Sequence, residues 1–448
     1  MTVLQPTREV TTNMAAVSFA ENSVVHDVLV PGVSNAEEDT VDVWLKNGRV
    51  QACERSVRTD SNSEHVDGNG CWLLPGFVDL QANDVAWLAL GPRTPEDHAE
   101  RIRAVLEYQA ARGVTGIIIA TLAAPIDHLR GYLYGAAHVL HERRSATSSV
   151  LLGMFVEGSF MNPQFCGAHN PNWVLPPSIE VLDQLLETGS VRMLNVAPEM
   201  SSEALSVITK ATQHGVVVGV GHAKPHARHL REAVAAGARF AIHLGNGPTG
   251  TNLKAFNDGG MLEEALRNDD LVVTVIVDGY HVHPQLVRDW LRRKELNRFV
   301  AISDLGFALG VPKGEFEVCG IRGRAADDGR YLEVVSAPGS SPSNPLSSDR
   351  SNLFGAAVEM RDVFENLLNL LTVEMEGVYH RRHQAYPFFE AVHMTSQACS
   401  ENPARLAGAP GRGRLHCGSR ADAILSRISG DTGNHQVEVL RVFLGGNA

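Results

Sequence analysis

The chain predicts an α/β fold: a (β/α)8 TIM barrel with a small β-sandwich domain formed by its N- and C-terminal segments. Three observations predict it. Eight short β-rich runs follow one another from about Val78, separated by polar or Gly-rich turns and helical stretches. The runs are nearly continuous in Val, Ile and Leu, as suits parallel strands buried on both faces. The regions flanking them hold shorter strand-like pieces that bury little alone.

In order, the runs are GFVDLQAN (76–83), GVTGIIIATL (113–122), VLLGMFVEG (150–158), VRMLNVAPE (191–199), GVVVGVGH (215–222), ARFAIHLGN (238–246), LVVTVIVDG (271–279) and RFVAISD (298–304). Helical stretches such as 95–113 and 201–215 lie between them and end in Gly, a common helix stop. Eight such units close naturally into a parallel barrel. The eighth helix is expected late, at about 352–371, beyond a long insertion. Within that insertion the Ser/Pro-rich stretch 336–352 reads as a loop. Residues 1–74 and 409–448 are expected to form the two halves of the sandwich, with the barrel at 75–408; chain ends often lie close together. The first residues read as a poorly ordered arm or an edge strand.

Composition narrows the function. The formal charge is −12, from 39 Lys and Arg against 51 Asp and Glu. An acidic surface argues against nucleic acid and disfavours an anionic membrane. No apolar run approaches the ~20 residues that span a bilayer. No continuous signal-peptide core opens the chain. The six cysteines are scattered without a C-x-x-C pair, which reads as free thiols of a cytoplasmic protein.

A barrel of this kind builds its site at the C-terminal ends of its strands. Glu157 closes the third run, His222 the fifth, His243 the sixth and Asp304 the eighth. Singly, each is as readily a helix cap or a packed side chain. Together on one rim they suggest a catalytic metal centre with nitrogen and oxygen ligands.

At these positions the sequence resembles the N-acetylglucosamine-6-phosphate deacetylases of the amidohydrolase superfamily. PGFVDLQAN (75–83) is similar to that family's first strand, with Gln81 and Asn83 where many amidohydrolases carry H-x-H. FVEGSFMNPQFCGAHNP (155–171), VGVGHAK (218–224), AIHLGNG (241–247), VDGYHVHP (277–284), AISDLGFALG (301–310) and LFGAAVEM (353–360) follow in the family's order. The resemblance covers about 75–446. It implies Glu157, His222 and His243 as ligands of one divalent metal, zinc first, with iron, cobalt or manganese as alternatives. It implies Asp304 as general base and acid, and His281 as a group that contacts the substrate and polarises its carbonyl. Ala168, His169, Asn246, Gly247, Asp278, Leu353, Phe354 and Gly355 would line the sugar site. Gln81 and Asn83 would join the metal's water network. The implied activity is removal of the acetyl group from an N-acetylated amino sugar, by a homodimer.

The sequence departs from the family's pattern in places. Where the family carries an Arg for the sugar phosphate, this chain has Asn257, with Lys254 nearby. The usual E-G-P-F has Ser159, and the usual T-D-A is Ser303-Asp304-Leu305. The segments 311–352 and 374–391 are longer than expected. His380, Arg381, Arg382 and His383 read as a solvated helix end, a replacement anion contact or a dimer element. A related hydrolase of a different amide and a silent binding barrel are the competing functions. Retention of all four rim groups speaks against silence.

Overall fold

The computed structural model describes residues 15–85, 93–142, 147–246, 258–312, 314–318, 321–326, 329–336 and 353–445. Its centre is an eight-stranded parallel sheet of β7 (Phe77–Asn83), β8 (Val114–Thr121), β9 (Val150–Phe160), β10 (Val191–Val196), β11 (Val217–Val220), β12 (Phe240–Ala241), β13 (Val272–Ile276) and β14 (Phe299–Ile302), paired in that order. First and last strands meet just past Ile302. The Asn83 N–H donates to the Leu305 carbonyl at 2.6 Å, and Ala82 and Leu305 form a parallel bridge. The strands are almost wholly buried, which is why their sequences are apolar on both faces.

Helices cover the outside: α1 (Pro95–Ala110), α2 (Ile126–Leu140), α3 (Ile179–Leu186), α4 (Ala204–Gln213), α5 (Ala227–Ala236), α6 (Met261–Arg267) and α7 (Pro284–Lys294). Thr94 starts α1 with a capping box to Asp97, and Pro95 needs no N–H at that position. Helix α8 (Met360–Thr372) begins later than the sequence suggests. The expected residues 353–356 form a strand, and Glu359 caps the helix in a box with Asp362.

The insertion after β14 is not a plain loop. It is an antiparallel sheet of β15 (Glu315–Val318), β16 (Ile321–Ala325), β17 (Tyr331–Ser336) and β18 (Leu353–Ala356). Phe307, Phe316 and Phe354 pack on one another beneath it. The stretch 337–352 lies outside the described residues. Helices α9 (Phe388–Ser396) and α10 (Asn402–Leu406) then lead back to the small domain.

That domain joins strands from both chain ends. Strands β1 (Ala16–Phe19), β2 (Asn22–Val28), β3 (Val41–Lys46), β4 (Arg49–Glu54), β5 (Glu64–Asp67) and β6 (Trp72–Pro75) meet β19 (Ala423–Asp431) and β20 (Asn434–Leu444). One sheet runs β1-β20-β19-β6 and the other β4-β3-β2-β5. Val25, Val43, Leu45, Leu73 and Phe443 share their core, and β3 shows the alternating burial of a strand with one inner face. β1 is an edge strand, as one reading of the N-terminus expects. The five described cysteines are free. Among the described residues no helix is long and apolar enough to cross a membrane.

Candidate metal centre and active site

The rim groups meet. Glu157 Oε1 lies 3.2 Å from His222 Nε2 and 2.9 Å from His243 Nε2, and the two nitrogens are 3.1 Å apart. Ligands about 2.1 Å from a tetrahedral zinc stand roughly 3.4 Å from each other, so these edges suit a common ion. Backbone carbonyls fix both rings. His222 Nδ1 donates to the Phe165 carbonyl and His243 Nδ1 to that of Asn246, each at 3.0 Å. A carbonyl only accepts, so each proton stays on Nδ1 and each Nε2 presents a lone pair. Two lone pairs and a carboxylate oxygen thus converge, a donor set that fits a divalent cation. The centre favours positive charge: burial opposes the His243 imidazolium, but the Glu157 carboxylate raises its pKa. Burial would raise the pKa of Glu157, yet the His222 and His243 rings packed against it hold it well below the usual carboxylate range.

Asp304 stands beside this trio. The Gln81 amide nitrogen donates to both Glu157 Oε1 and Asp304 Oδ1, at 2.9 Å each, and Asn83 Nδ2 donates to the same aspartate oxygen at 3.1 Å. Burial and the neighbouring Glu157 charge push the Asp304 pKa up to about 7. A carboxyl with a pKa near neutrality is chemically able to take and return a proton. His222, His243 and Asp304 all have positive φ, 46°, 26° and 48°. At each of these strand ends the backbone bends sharply and turns the side chain over the barrel mouth.

His169 lies edge-on to His222, with ring centroids 4.9 Å apart, and is close enough to Glu157 and His222 to share their ion. Its tautomer is the opposite one. The Ala123 N–H donates to His169 Nδ1 at 3.0 Å, so the proton sits on Nε2. Burial and the His222 ring push its pKa down to about 3, which leaves a neutral N–H donor. The Glu157–His222–His243 triangle is the tighter group, with edges of 2.9 to 3.2 Å.

His281 Nδ1 contacts Asp278 Oδ2 at 2.6 Å, while Asp278 Oδ1 accepts the N–H groups of Tyr280 and His281. Both Asp278 oxygens accept hydrogen bonds within its own loop, and the carboxylate orients His281. Burial works against the Asp278 charge, but the His281 hydrogen bond lowers its pKa overall. The Phe354 side chain is buried in the aromatic cluster under the insertion. Leu353 and Ala168 are partly buried. Gly355 lies against the Asp304 carbonyl, where an added Cβ would stand 3.2 Å from that oxygen. The Asn246 side-chain nitrogen and Asn83 Oδ1 are buried with no protein partner among the described residues. Gly247, Lys254 and Asn257 lie outside the described residues.

The sequence reading missed the supports. The carbonyl of Phe165 and the N–H of Ala123 act through backbone atoms, which leave no signature in the side-chain pattern. Asp79 had one: a carboxylate inside the apolar run FVDLQAN. It accepts the Ser303 hydroxyl and the N–H groups of Gln81 and Ser303, and so ties β7 to the end of β14 below the site.

The amidohydrolase family's sequence profile matches residues 72–448, most of the chain. The chain belongs to the amidohydrolase family. A divalent metal at the Glu157 trio accords with that membership. This amidohydrolase is 24% identical over 326 residues to an N-acetylglucosamine-6-phosphate deacetylase of Lysinibacillus sphaericus, covering 72% of this chain and 81% of that one. It is 28% identical over 371 residues to an N-acetylgalactosamine-6-phosphate deacetylase of Escherichia coli O157:H7, covering 82% and 85%. Its fold matches the crystal structure of a Pasteurella multocida N-acetylglucosamine-6-phosphate deacetylase with a TM-score of 0.74, at 18% identity, over 95% of this chain and 98% of that one.

Proposed function

We propose that the protein hydrolyses the acetamide of an N-acetylated amino sugar 6-phosphate to acetate and the free amine. The observation that carries this reading is the approach of Glu157, His222 and His243 around one point, with Asp304 tied to Glu157 through Gln81. The names of the relatives supply the substrate class. Glu157, His222 and His243 would hold one divalent ion, zinc before iron, cobalt or manganese; when bound it supplies a Lewis acid for the carbonyl and makes water more acidic. Gln81 and Asn83 are neutral amides and poor ligands, in keeping with a single ion.

Asp304 takes a proton from the attacking water. The same carboxyl returns it to the amide nitrogen, which cannot leave as an anion. His281, its Nδ1 held by Asp278, donates from Nε2 to the carbonyl oxygen when both ring nitrogens carry a proton. His169 Nε2–H and the unpartnered Asn246 amide offer hydrogen bonds to the sugar. Acetate release from the 6-phosphates of N-acetylglucosamine and N-acetylgalactosamine tests the proposal. Rapid turnover that disappears in Asp304→Asn supports it; an inert wild-type enzyme with its metal in place rejects it. Asn257, where the family has Arg, favours a second reading in which the substrate lacks phosphate. Under that reading the unphosphorylated sugars turn over faster than their phosphates.

A further inference from the structure

The basic segment His380–His383 is not a helix end. It lies in an irregular stretch between α8 and α9, and three of its four residues are engaged with carboxylates. Arg382 pairs with Glu374, and both histidines turn onto Asp289 in α7.

We propose that Asp289, His380 and His383 form a second cation site, separate from the catalytic centre, for a first-row divalent metal such as zinc. Asp289 Oδ1 lies 2.7 Å from His380 Nδ1 and 2.8 Å from His383 Nε2. The three donor atoms all lie within 4.8 Å of one another. Two imidazoles and a carboxylate are a donor set that zinc, nickel and copper accept.

The surroundings are built to hold these donors. Asp289 Oδ2 accepts the N–H groups of Val378 at 2.6 Å and Tyr379 at 2.8 Å, which fixes the carboxylate with Oδ1 toward the histidines. Such outer hydrogen bonds commonly orient metal-binding carboxylates. The loop is closed on itself: Met375 and His383 exchange both backbone hydrogen bonds, and the Gly377 N–H donates to the His380 carbonyl at 2.9 Å. Gly377 packs closely against the same atoms: a Cβ there would collide with both Asp289 Oδ1 and His383 Nε2, so the loop can close over them only with glycine at this position. The Asp289 and His383 side chains are 1% and 4% exposed, whereas that of His380 is 33% exposed. An ion therefore has an entrance and an open position for water on the His380 side. It would staple the loop bearing the exposed Val378 and Tyr379 to α7.

The site shares no residue with the catalytic trio, so metal counting separates the two. The full-length protein is dialysed against micromolar zinc and its metal content measured, alongside His380→Ala, Asp289→Asn and His222→Ala. Two equivalents in the wild type, one in each single variant, and unimpaired hydrolysis in His380→Ala are expected. Cobalt substitution adds a readout: the His222→Ala protein should retain a tetrahedral or five-coordinate cobalt spectrum that His222→Ala/His380→Ala lacks. Equal metal content in the wild type and His380→Ala overturns the proposal. It leaves the Asp289 contacts as a hydrogen-bonded network, whatever the state of the catalytic ion.

Discussion

His222, His243 and Asp304 each hold a backbone conformation that non-glycine residues seldom adopt. Such a conformation costs about 1–3 kcal/mol per residue, and the surrounding structure must hold it in place. Gln81 restrains Asp304, together with Asn83, through the amide it shares with Glu157. Gln81→Leu should lower kcat by roughly 10- to 100-fold while metal content stays at the wild-type level. Steady-state kinetics with metal analysis checks this, and an unchanged kcat removes Gln81 from its positioning role. Asp304→Asn should abolish turnover with the metal retained; measurable wild-type rates in that variant would dismiss Asp304 as the base. Asp79 gives a prediction about stability. Burial raises its pKa from 3.8 to about 6, against the hydrogen bonds from Ser303 and Gln81. The folded state therefore binds its proton more tightly than the unfolded state does. Through this group, stability falls as pH rises across that interval, and the loss is complete above it. Asp79→Asn keeps the acceptor for the two N–H groups and should flatten that part of the curve. Denaturant unfolding of both proteins from pH 4 to 7 measures the difference.

At the scale of elements, β18 bears directly on the site. The Ala356 N–H donates to the Asp304 carbonyl at 2.9 Å, and Gly355, with φ of 65°, packs beside it. Gly355→Ala strains the backbone and crowds that carbonyl. A loss of about 1 kcal/mol of stability and a lower kcat at unchanged metal content should follow. Equal kinetics in the variant would detach the insertion from catalysis. The sequence shows the eight barrel strands because burial on both faces writes unbroken apolar runs. Their ends are less legible: the run 238–246 contains only Phe240–Ala241 as strand, since the backbone turns at His243. The insertion sheet is harder still to read. Its strands are four to six residues long, and Glu and Arg alternate with the buried positions of β15 and β16. His222, His243 and Asp304 are readable as groups just past their strands, whereas Glu157 lies inside β9, which runs on to Phe160; the histidine tautomers are not readable, because backbone carbonyls decide them. The hydrogen bonds of Asp278 and the packing of Phe354 likewise depend on contacts the chain order conceals.

For the whole molecule, metal binding and folding are linked. The catalytic donors come from β9 and from the turns after β11 and β12, so an ion held by them binds the native state alone. Chelation should lower the thermal midpoint of the wild type, by an amount that grows with the ion's affinity. His222→Ala should start from a lower midpoint and respond less to the chelator. Identical responses in the two proteins would place the stabilising ion elsewhere. One continuous core reaches from Leu29 in the small domain through the barrel to Val437, so the parts should melt together.

The seam between the first and last barrel strands has a consequence for biosynthesis. Gln81 and Asp304 are 223 positions apart, and they touch only where the ring closes. A ribosome-bound fragment ending before Asp304 lacks the carboxyl we propose as proton carrier, even if the earlier histidines and glutamate have already gathered. Hydrolytic competence therefore arrives late in synthesis, and activity doubles as a report that the circle is complete.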